Sequence, residues 1–373
     1  MRIPALLGGI AIASAVVLLG FQVVRDRPGQ EPAAQPREPA ERLRASPLDG
    51  DAFSDLAVAL AESGSDDAAK IHAIAARRDP RDLRVRAWLA DHHLAAGRHA
   101  AALEQMDVIL RLSPDARRAL LPALLQLSAD PAFADALAER LGRSPTWRSA
   151  LLAAMRADPE STGATNVFAA LREHDGLDED EAGRWINALI RANQWGRAYS
   201  LWASGLDLAP GESLPMLWNG GFDVRPTGTG FDWRVGSAPG SFTEFQTVEG
   251  ARGEAAHLVF HGRPVDSANL EQALHLPPGT YRLTLRMKAQ ALRSDQGLTW
   301  TVTCSQGKSR FMGERVGGTF DWRQSTLVFD IPVTGCAGQW LRLRNPAPAG
   351  SARMVSGELW VEDVTLESSD RPS

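Results

Sequence analysis

The spacing of apolar residues divides the chain into two regions with different secondary structure. Between Asp51 and about Ala209, apolar residues recur three or four positions apart, which is the period of an amphipathic α-helix. The stretch Ala102, Leu103, Met106, Ile109, Leu110 shows this spacing. Prolines at positions 122, 131, 145 and 159 predict breaks between helices of about 12 residues joined by short turns.

Near Ser213 the period changes from the helical one to two, and glycine-rich turns become frequent. Apolar and polar positions alternate in four stretches: Tyr281 to Met287, Leu298 to Cys304, Leu327 to Ile331, and Leu341 to Leu343. Short alternating strands with turns between them are typical of an antiparallel two-sheet sandwich. The C-terminal region is therefore predicted to be all-β.

At the N-terminus, residues 3–24 form an uncharged run of 22 residues, long enough to cross a bilayer as one helix. We interpret it as a transmembrane signal anchor. The Ala13-Ser14-Ala15 stretch resembles a cleavage site, so a cleaved signal peptide is the alternative. The polar stretch from Arg25 to Pro47 carries spaced prolines that block helix and sheet, which predicts an extended linker.

These patterns predict a multi-domain protein with an N-terminal transmembrane helix, an all-α repeat domain and a C-terminal all-β sandwich. The predicted segments are residues 1–25 for the anchor, 26–48 for the linker, 49–212 for the helical domain, 213–368 for the sandwich and 369–373 for a tail.

The helical region contains self-similarity at a spacing of 34 residues, since Ala68 and Pro80 recur as Ala102 and Pro114. The stretch 96–103, Ala-Gly-Arg-His-Ala-Ala-Ala-Leu, resembles the turn and second helix of a tetratricopeptide repeat. Two repeats of this kind are expected, with a weaker copy starting near Trp185. The resemblance implies a solenoid of helical pairs whose concave surface binds a protein partner.

Four segments of the β region together resemble jelly-roll carbohydrate-binding modules of the galactose-binding-like type. They are Asn219 to Asp223, Leu276 to Leu283, Phe320 to Trp322, and Gly357 to Val364. The resemblance covers about 150 residues. It implies a sandwich whose first and last segments are neighbours and, in many members, a face that binds glycan.

Composition excludes some classes of function. The net charge of −5 and the isoelectric point near 5.9 give no field that attracts nucleic acid. No nucleophile elbow, dinucleotide fingerprint or Cys-x-x-Cys metal motif is present in the sequence. We therefore expect a non-enzymatic protein without a catalytic residue.

The chain has two cysteines, Cys304 and Cys336, both in the predicted sandwich and 32 positions apart. In an oxidising compartment they are expected to form a disulfide; in the cytoplasm they would be two reduced thiols. We predict the disulfide, which places the soluble part in the periplasm of a bacterium, tethered to the inner membrane.

Indole rings can stack on the C–H faces of sugars, so tryptophans are the candidate glycan-binding residues. Trp233 and Trp322 follow twin Phe-Asp-Trp-Arg segments near turns, and Trp340 lies in a predicted strand. These three are the predicted binding residues, against the alternative that each is part of the core.

Several jelly-roll modules hold a structural calcium between their first and last strands, and the resemblance places Asp223 and Asp363 at the matching positions. Ordinary turn and strand-end carboxylates are the alternative. No other cofactor is expected.

The predicted function is a periplasmic scaffold or adaptor whose helical repeats bind a protein and whose sandwich binds glycan, in assembly or export of a cell-surface polysaccharide such as an exopolysaccharide. Two alternatives stay open. One is a structural interaction protein that does not bind sugar. The other is a glycan-modifying enzyme with carboxylates in a cleft between its domains.

Overall fold

The computed structural model describes residues 38–208, 213–236, 239–307 and 310–369. The chain divides into two compact units, and the boundary lies between Glu181 and Ala182. The predicted anchor lies outside the described residues. Within the described ranges, no helix is both long and apolar enough to span a membrane.

The first unit consists of helices, as predicted. Their bounds are α1 Pro39–Ala45, α2 Gly50–Glu62, α3 Ala68–Arg78, α4 Leu83–Ala95, α5 His99–Leu112, α6 Pro114–Leu127, α7 Pro131–Gly142, α8 Arg148–Ala157, α9 Thr162–Glu173 and α10 Glu179–Arg191, the last of which extends into the second unit.

Helices α2 to α5 form two consecutive hairpins with the same local design. Asp49 caps α2 and Asp82 caps α4, each accepting backbone N–H bonds of the first turn, and the two are 33 residues apart. Gly64 and Gly97, also 33 residues apart, end the first helix of each pair with positive φ values of 70° and 67°. This repetition agrees with the predicted succession of helical pairs. The assignment of the pairs to the tetratricopeptide family stays a prediction.

Two prolines behave differently from the prediction. Pro39 starts helix α1 within the stretch predicted to block helices, because a proline at the first helical position loses no hydrogen bond. Pro122 lies inside α6 and does not end it, so the predicted break there is wrong. The turns containing Pro131, Pro145 and Pro159 do separate successive helices.

Helices α6 and α9 approach each other closely at Gly163. A methyl group built on Gly163 would lie 1.7 Å from the carbonyl oxygen of Leu125, so only glycine fits at this crossing. The neighbouring side chains Leu124, Val167 and Leu171 are buried. Backbone contact is thus part of the packing of this unit.

The second unit contains the end of α10, helix α11 (Trp195–Ala203) and ten strands. The strands are β1 Trp233–Val235, β2 Ser241–Thr247, β3 Glu254–Pro264, β4 Ser267–Leu274, β5 Gly279–Ser294, β6 Thr299–Cys304, β7 Arg310–Met312, β8 Gly318–Ile331, β9 Gln339–Arg344 and β10 Met354–Ser368. Among the described residues α11 thus belongs to the same unit as the strands.

The strands form two antiparallel sheets, which confirms the predicted sandwich. The first sheet has the order β1-β4-β9-β6-β7 and the second the order β2-β3-β10-β5-β8. Alternate residues of both sheets point between them and form one core that includes Trp233 and Phe329, and Phe222 of the opening segment packs into the same core. The opening segment lies beside the last strand, since Val364 N–H donates to the Gly220 carbonyl at 2.9 Å.

The predicted disulfide is confirmed. Cys304 at the end of β6 is bonded to Cys336 in the segment before β9, with a Cα–Cα distance of 4.8 Å. Both cysteines are buried in the sandwich core. The bond therefore fixes the β8–β9 connection to the first sheet.

Candidate functional site: an arginine-lined pocket on the first sheet

A row of directly paired residues crosses the outer face of the first sheet. Arg234 of β1 pairs with Glu271 of β4, Glu271 pairs with Arg342 of β9, and Arg342 pairs with Thr301 of β6. Side chains of a strand alternate between the two faces of its sheet, so the neighbours of these residues point into the core. Leu341 and Leu343, on either side of Arg342, are fully buried.

This row borders a pocket of about 520 Å³, which lies within the usual size range of small-molecule sites. Its charged and polar lining residues are Arg234, Asp266, Ser267, Asn269, Glu271, Arg342 and Arg344. All of them lie in the second unit. Charged groups dominate the lining, which favours a polar ligand over an apolar one.

Both carboxylates of the pocket are already paired with arginines. Arg342 Nε donates to the carboxylate of Glu271 at 2.6 Å. The carboxylate of Asp266 accepts from Arg344 at 3.1 Å and from Arg353 at 3.0 Å. Arginine side chains thus already neutralise both carboxylates, and neither is left unpaired for another cation.

Arg234 has a different environment from the other arginines. One terminal nitrogen, Nη2, donates to the Asn187 side chain at 2.7 Å and to the Gly230 carbonyl at 3.1 Å. Its Nε is buried and has no hydrogen-bond partner, and no carboxylate of the described residues forms an ion pair with it. Burial lowers the pKa of its guanidinium to about 10, against the opposing effect of Glu271.

Trp340 lies beside the pocket on the same face. The guanidinium carbons of Arg234 and Arg342 are each 4.6 Å from the centre of its ring. Trp195 of α11 packs against it edge to face, with ring centres 5.7 Å apart. Trp340 is half-buried, so helix α11 covers part of this face of the sheet.

Trp195 also fixes the backbone of the sheet. A methyl group built on Gly338 would lie 1.9 Å from its indole ring. Asn193, just before α11, accepts a hydrogen bond from the Ser305 hydroxyl at 3.1 Å. The helix and the sheet are therefore packed tightly at this end of the face, while the pocket beside them is open.

The prediction that Trp233 binds glycan is wrong. Its side chain is completely buried between the sheets, and its Nε1 donates to the Asn219 carbonyl at 3.0 Å. It precedes Arg234 in β1 and so has the opposite orientation. Proximity to a turn suggested exposure, but strand alternation decides the face.

Trp322 lies on the opposite side of the sandwich, on the outer face of the second sheet. It is half-buried, its Nε1 donates to the Glu249 carbonyl at 3.0 Å, and Arg286 lies 5.3 Å from its ring centre. The three predicted tryptophans are therefore in three different environments and do not form one platform.

One of the two carboxylates proposed for calcium, Asp363, is paired with an arginine. Asp363 forms an ion pair with Arg252 at 2.7 Å, and the adjacent Glu362 accepts the backbone N–H of Arg252 and an ion pair from Arg286. Asp223 lies near this loop, beside Gly253. In the described part of the chain, no group of three or more metal-binding side chains occurs. Because calcium takes six to eight oxygen ligands, the carboxylate of Asp363, which is already paired with Arg252, is a poor ligand for it.

We therefore expect calcium to have no effect on stability. The melting temperature of the protein should be the same with added calcium chloride and with excess EDTA, because Arg252 supplies the positive charge beside Asp363. Differential scanning calorimetry measures this directly. A rise in melting temperature with calcium that disappears in Asp363→Asn would contradict the assignment.

Of three comparisons with known proteins, the one with solved structures finds similar chains. Neither a family model nor a curated protein matches the chain. Among solved structures, the chain is similar to one titled "CBM4 structure and function" (16% identity, TM-score 0.31, covering 41% of this chain and 99% of that one).

A second match is TmCBM61, solved with β-1,4-galactotriose (18% identity, TM-score 0.28, 42% and 99% coverage). A third is the "Xylan-Binding Domain from CBM 22" (12% identity, TM-score 0.26, 38% and 89%). At these values the similarities carry no argument about the ligand of this chain.

The arginines of the pocket are not among the binding residues predicted from the sequence. The signal was present, since Arg342 and Arg344 alternate with Leu341 and Leu343 in a stretch predicted to be a strand. Such alternation places both arginines on one outer face. The contribution of Arg234 depends on the pairing of β1 with β4, which the sequence pattern alone does not specify.

Proposed function

We propose that this protein is a non-enzymatic, membrane-anchored periplasmic scaffold or adaptor whose sandwich binds glycan in the pocket on the first sheet. The helical hairpins of the first unit would bind a protein partner. The setting would be assembly or export of a cell-surface polysaccharide.

The observation that carries this proposal is the combination of an open polar pocket with an adjacent indole. Hydrogen-bond donors and acceptors from three neighbouring strands line about 520 Å³, and the half-buried ring of Trp340 lies next to the lining, in contact with Arg234 and Arg342. Sugars present hydroxyl groups and apolar C–H faces together, and sites for them combine polar groups with aromatic rings.

Other features support the remaining parts of the proposal. The Cys304–Cys336 disulfide is typical of proteins in an oxidising compartment such as the periplasm. Consecutive helical hairpins with matched caps and turns commonly form protein-binding surfaces. The uncharged run at residues 3–24 has the composition of an anchor.

The test is binding of the purified full chain to an array of neutral and acidic polysaccharides, followed by titration calorimetry with the best ligand. We expect Ser267→Trp to weaken binding at least tenfold, because a large side chain from the pocket lining fills the space that the sugar would take. The matched control is Trp322→Ala on the second sheet, which should bind like the wild type.

Two outcomes contradict the proposal. Failure of the wild-type protein to bind any polysaccharide removes the glycan-binding function. Loss of binding in Trp322→Ala with full binding in Ser267→Trp would place the site on the opposite sheet. Circular dichroism confirms that each variant is folded.

The packing of α11 on the first sheet supports an alternative, a structural interaction protein that does not bind sugar. Trp195 covers Trp340 and contacts Gly338 closely, so part of the face is committed to internal packing. In that case the polysaccharide array gives no binding, while affinity purification of the full chain still yields a defined protein partner.

A further inference from the structure

We infer that the pocket on the first sheet takes a sugar that carries an oxyanion, either a carboxylate or a sulfate ester. The inference rests on the proposed glycan-binding function and specifies the chemical class of the glycan. The surplus of guanidinium groups around the pocket carries it.

The charged network around the pocket has more arginines than carboxylates. Arg342 is paired with Glu271, and Asp266 is shared by Arg344 and Arg353. Arg234 adds a fourth guanidinium. Two carboxylates thus face four arginines, which leaves two positive charges without a counterion from the network.

Among the four arginines around the pocket, Arg234 is the one that forms no ion pair with any carboxylate that the structure describes. The charged groups that act on its guanidinium are one acid, Glu271, and two further arginines, Arg342 and Arg191. Its Nη2 bonds only to neutral acceptors, and its Nη1 donates to none of the residues that the structure describes. Burying an uncompensated charge destabilises a protein, which points to a negative group that compensates it in the functional state.

The position of this guanidinium is fixed before any ligand binds. Asn187 holds Nη2, and the ring of Trp340 lies 4.6 Å from its central carbon. Asn187 and Gly230 take both hydrogens of Nη2, so the hydrogens of Nη1 are the ones that Arg234 can donate to a carboxylate or sulfate oxygen, as charge-assisted hydrogen bonds. Fixing it in advance reduces the entropy that binding would cost.

The same pocket offers neutral groups for the rest of a sugar ring. Asn269 and Ser267 of β4 line it together with the arginines. Amide and hydroxyl groups bond to sugar hydroxyls without a charge requirement. The pocket therefore offers groups both for an anionic substituent and for ordinary hydroxyls of the same sugar.

The experiment is titration calorimetry of the full chain with four probes: trigalacturonate, its methyl ester, a sulfated neutral trisaccharide and inorganic sulfate. We expect trigalacturonate or the sulfated sugar to bind at least tenfold more tightly than the uncharged ester, and the difference to shrink at high salt. Inorganic sulfate alone should bind weakly, because it lacks the hydroxyls.

The test variant is Arg234→Gln, and the matched control is Arg282→Gln, an exposed arginine of β5 on the second sheet. Arg234→Gln should remove the preference for the anionic probe without lowering the melting temperature, because it removes a buried and uncompensated charge. A purely structural arginine would give the opposite result, a lower melting temperature and an unchanged preference. Arg282→Gln should behave like the wild type.

The outcomes separate this inference from the proposed function. Equal binding of trigalacturonate and its methyl ester overturns the oxyanion preference and leaves glycan binding intact. Tight binding of inorganic sulfate with no binding of any sugar overturns both. Retained anion preference in Arg234→Gln overturns the assignment to this arginine.

Discussion

Replacing both Cys304 and Cys336 by alanine is expected to lower the free energy of unfolding of the sandwich by about 3–4 kcal/mol. The bond closes a loop of 32 residues, and a cross-link over that length restricts the unfolded chain by about this amount in the chain-entropy model. Because both cysteines are also buried, the two alanines leave additional small cavities. Urea unfolding of the oxidised protein and of the double variant gives the difference.

Hydrogen exchange can assign the loss to the correct unit. Peptides from the sandwich should exchange faster in the double variant, and peptides from α2 to α9 should not change. A reducing agent should destabilise the wild type to a similar level and have no effect on the double variant, which serves as the control. Equal stability of the oxidised wild type and the double variant would show that the bond contributes nothing.

The second large effect is expected in the helical unit. Gly163→Ala should destabilise it by about 3 kcal/mol, because the added methyl group would lie 1.7 Å from the Leu125 carbonyl oxygen and the two helices have to move apart. A backbone atom is the obstacle, so no side-chain rotation relieves the clash. Thermal and urea unfolding followed by helical circular dichroism measure the change.

The matched control is Gly142→Ala at the end of α7. A methyl group there meets no atom within 4 Å, and alanine favours helix over glycine by about 1 kcal/mol. This variant should keep or slightly increase stability. If both variants changed stability equally, helix propensity and not the close crossing would determine the effect.

Much of the fold follows from sequence periodicity. The change of period near Ser213 separates helices from strands, and the alternation from Tyr281 to Met287 identifies a strand whose odd-numbered residues are buried. The disulfide follows from there being two cysteines in the chain. The strand pattern depends on residues that are close in sequence, and the disulfide is the one pairing that two cysteines allow.

The binding residues were harder to predict because they depend on position relative to other strands. Trp233 and Arg234 are adjacent, yet one is in the core and the other borders the pocket. The sequence around β1 does not indicate which face of the strand is buried. For Trp322, Trp340 and Asp363, an arginine from elsewhere in the chain determines the environment, and sequence pattern does not identify such a partner.

The packing of Trp195 against Trp340 and Gly338 has a practical consequence for expression. A fragment truncated to begin at Ser213 would lack α11 and would present Trp340 and Phe231 to water, which are contacts of that helix in the intact chain. It would also lose Asn187, which holds Arg234 in place. Recombinant pieces meant to represent the sandwich should therefore include residues from Ala182 onward.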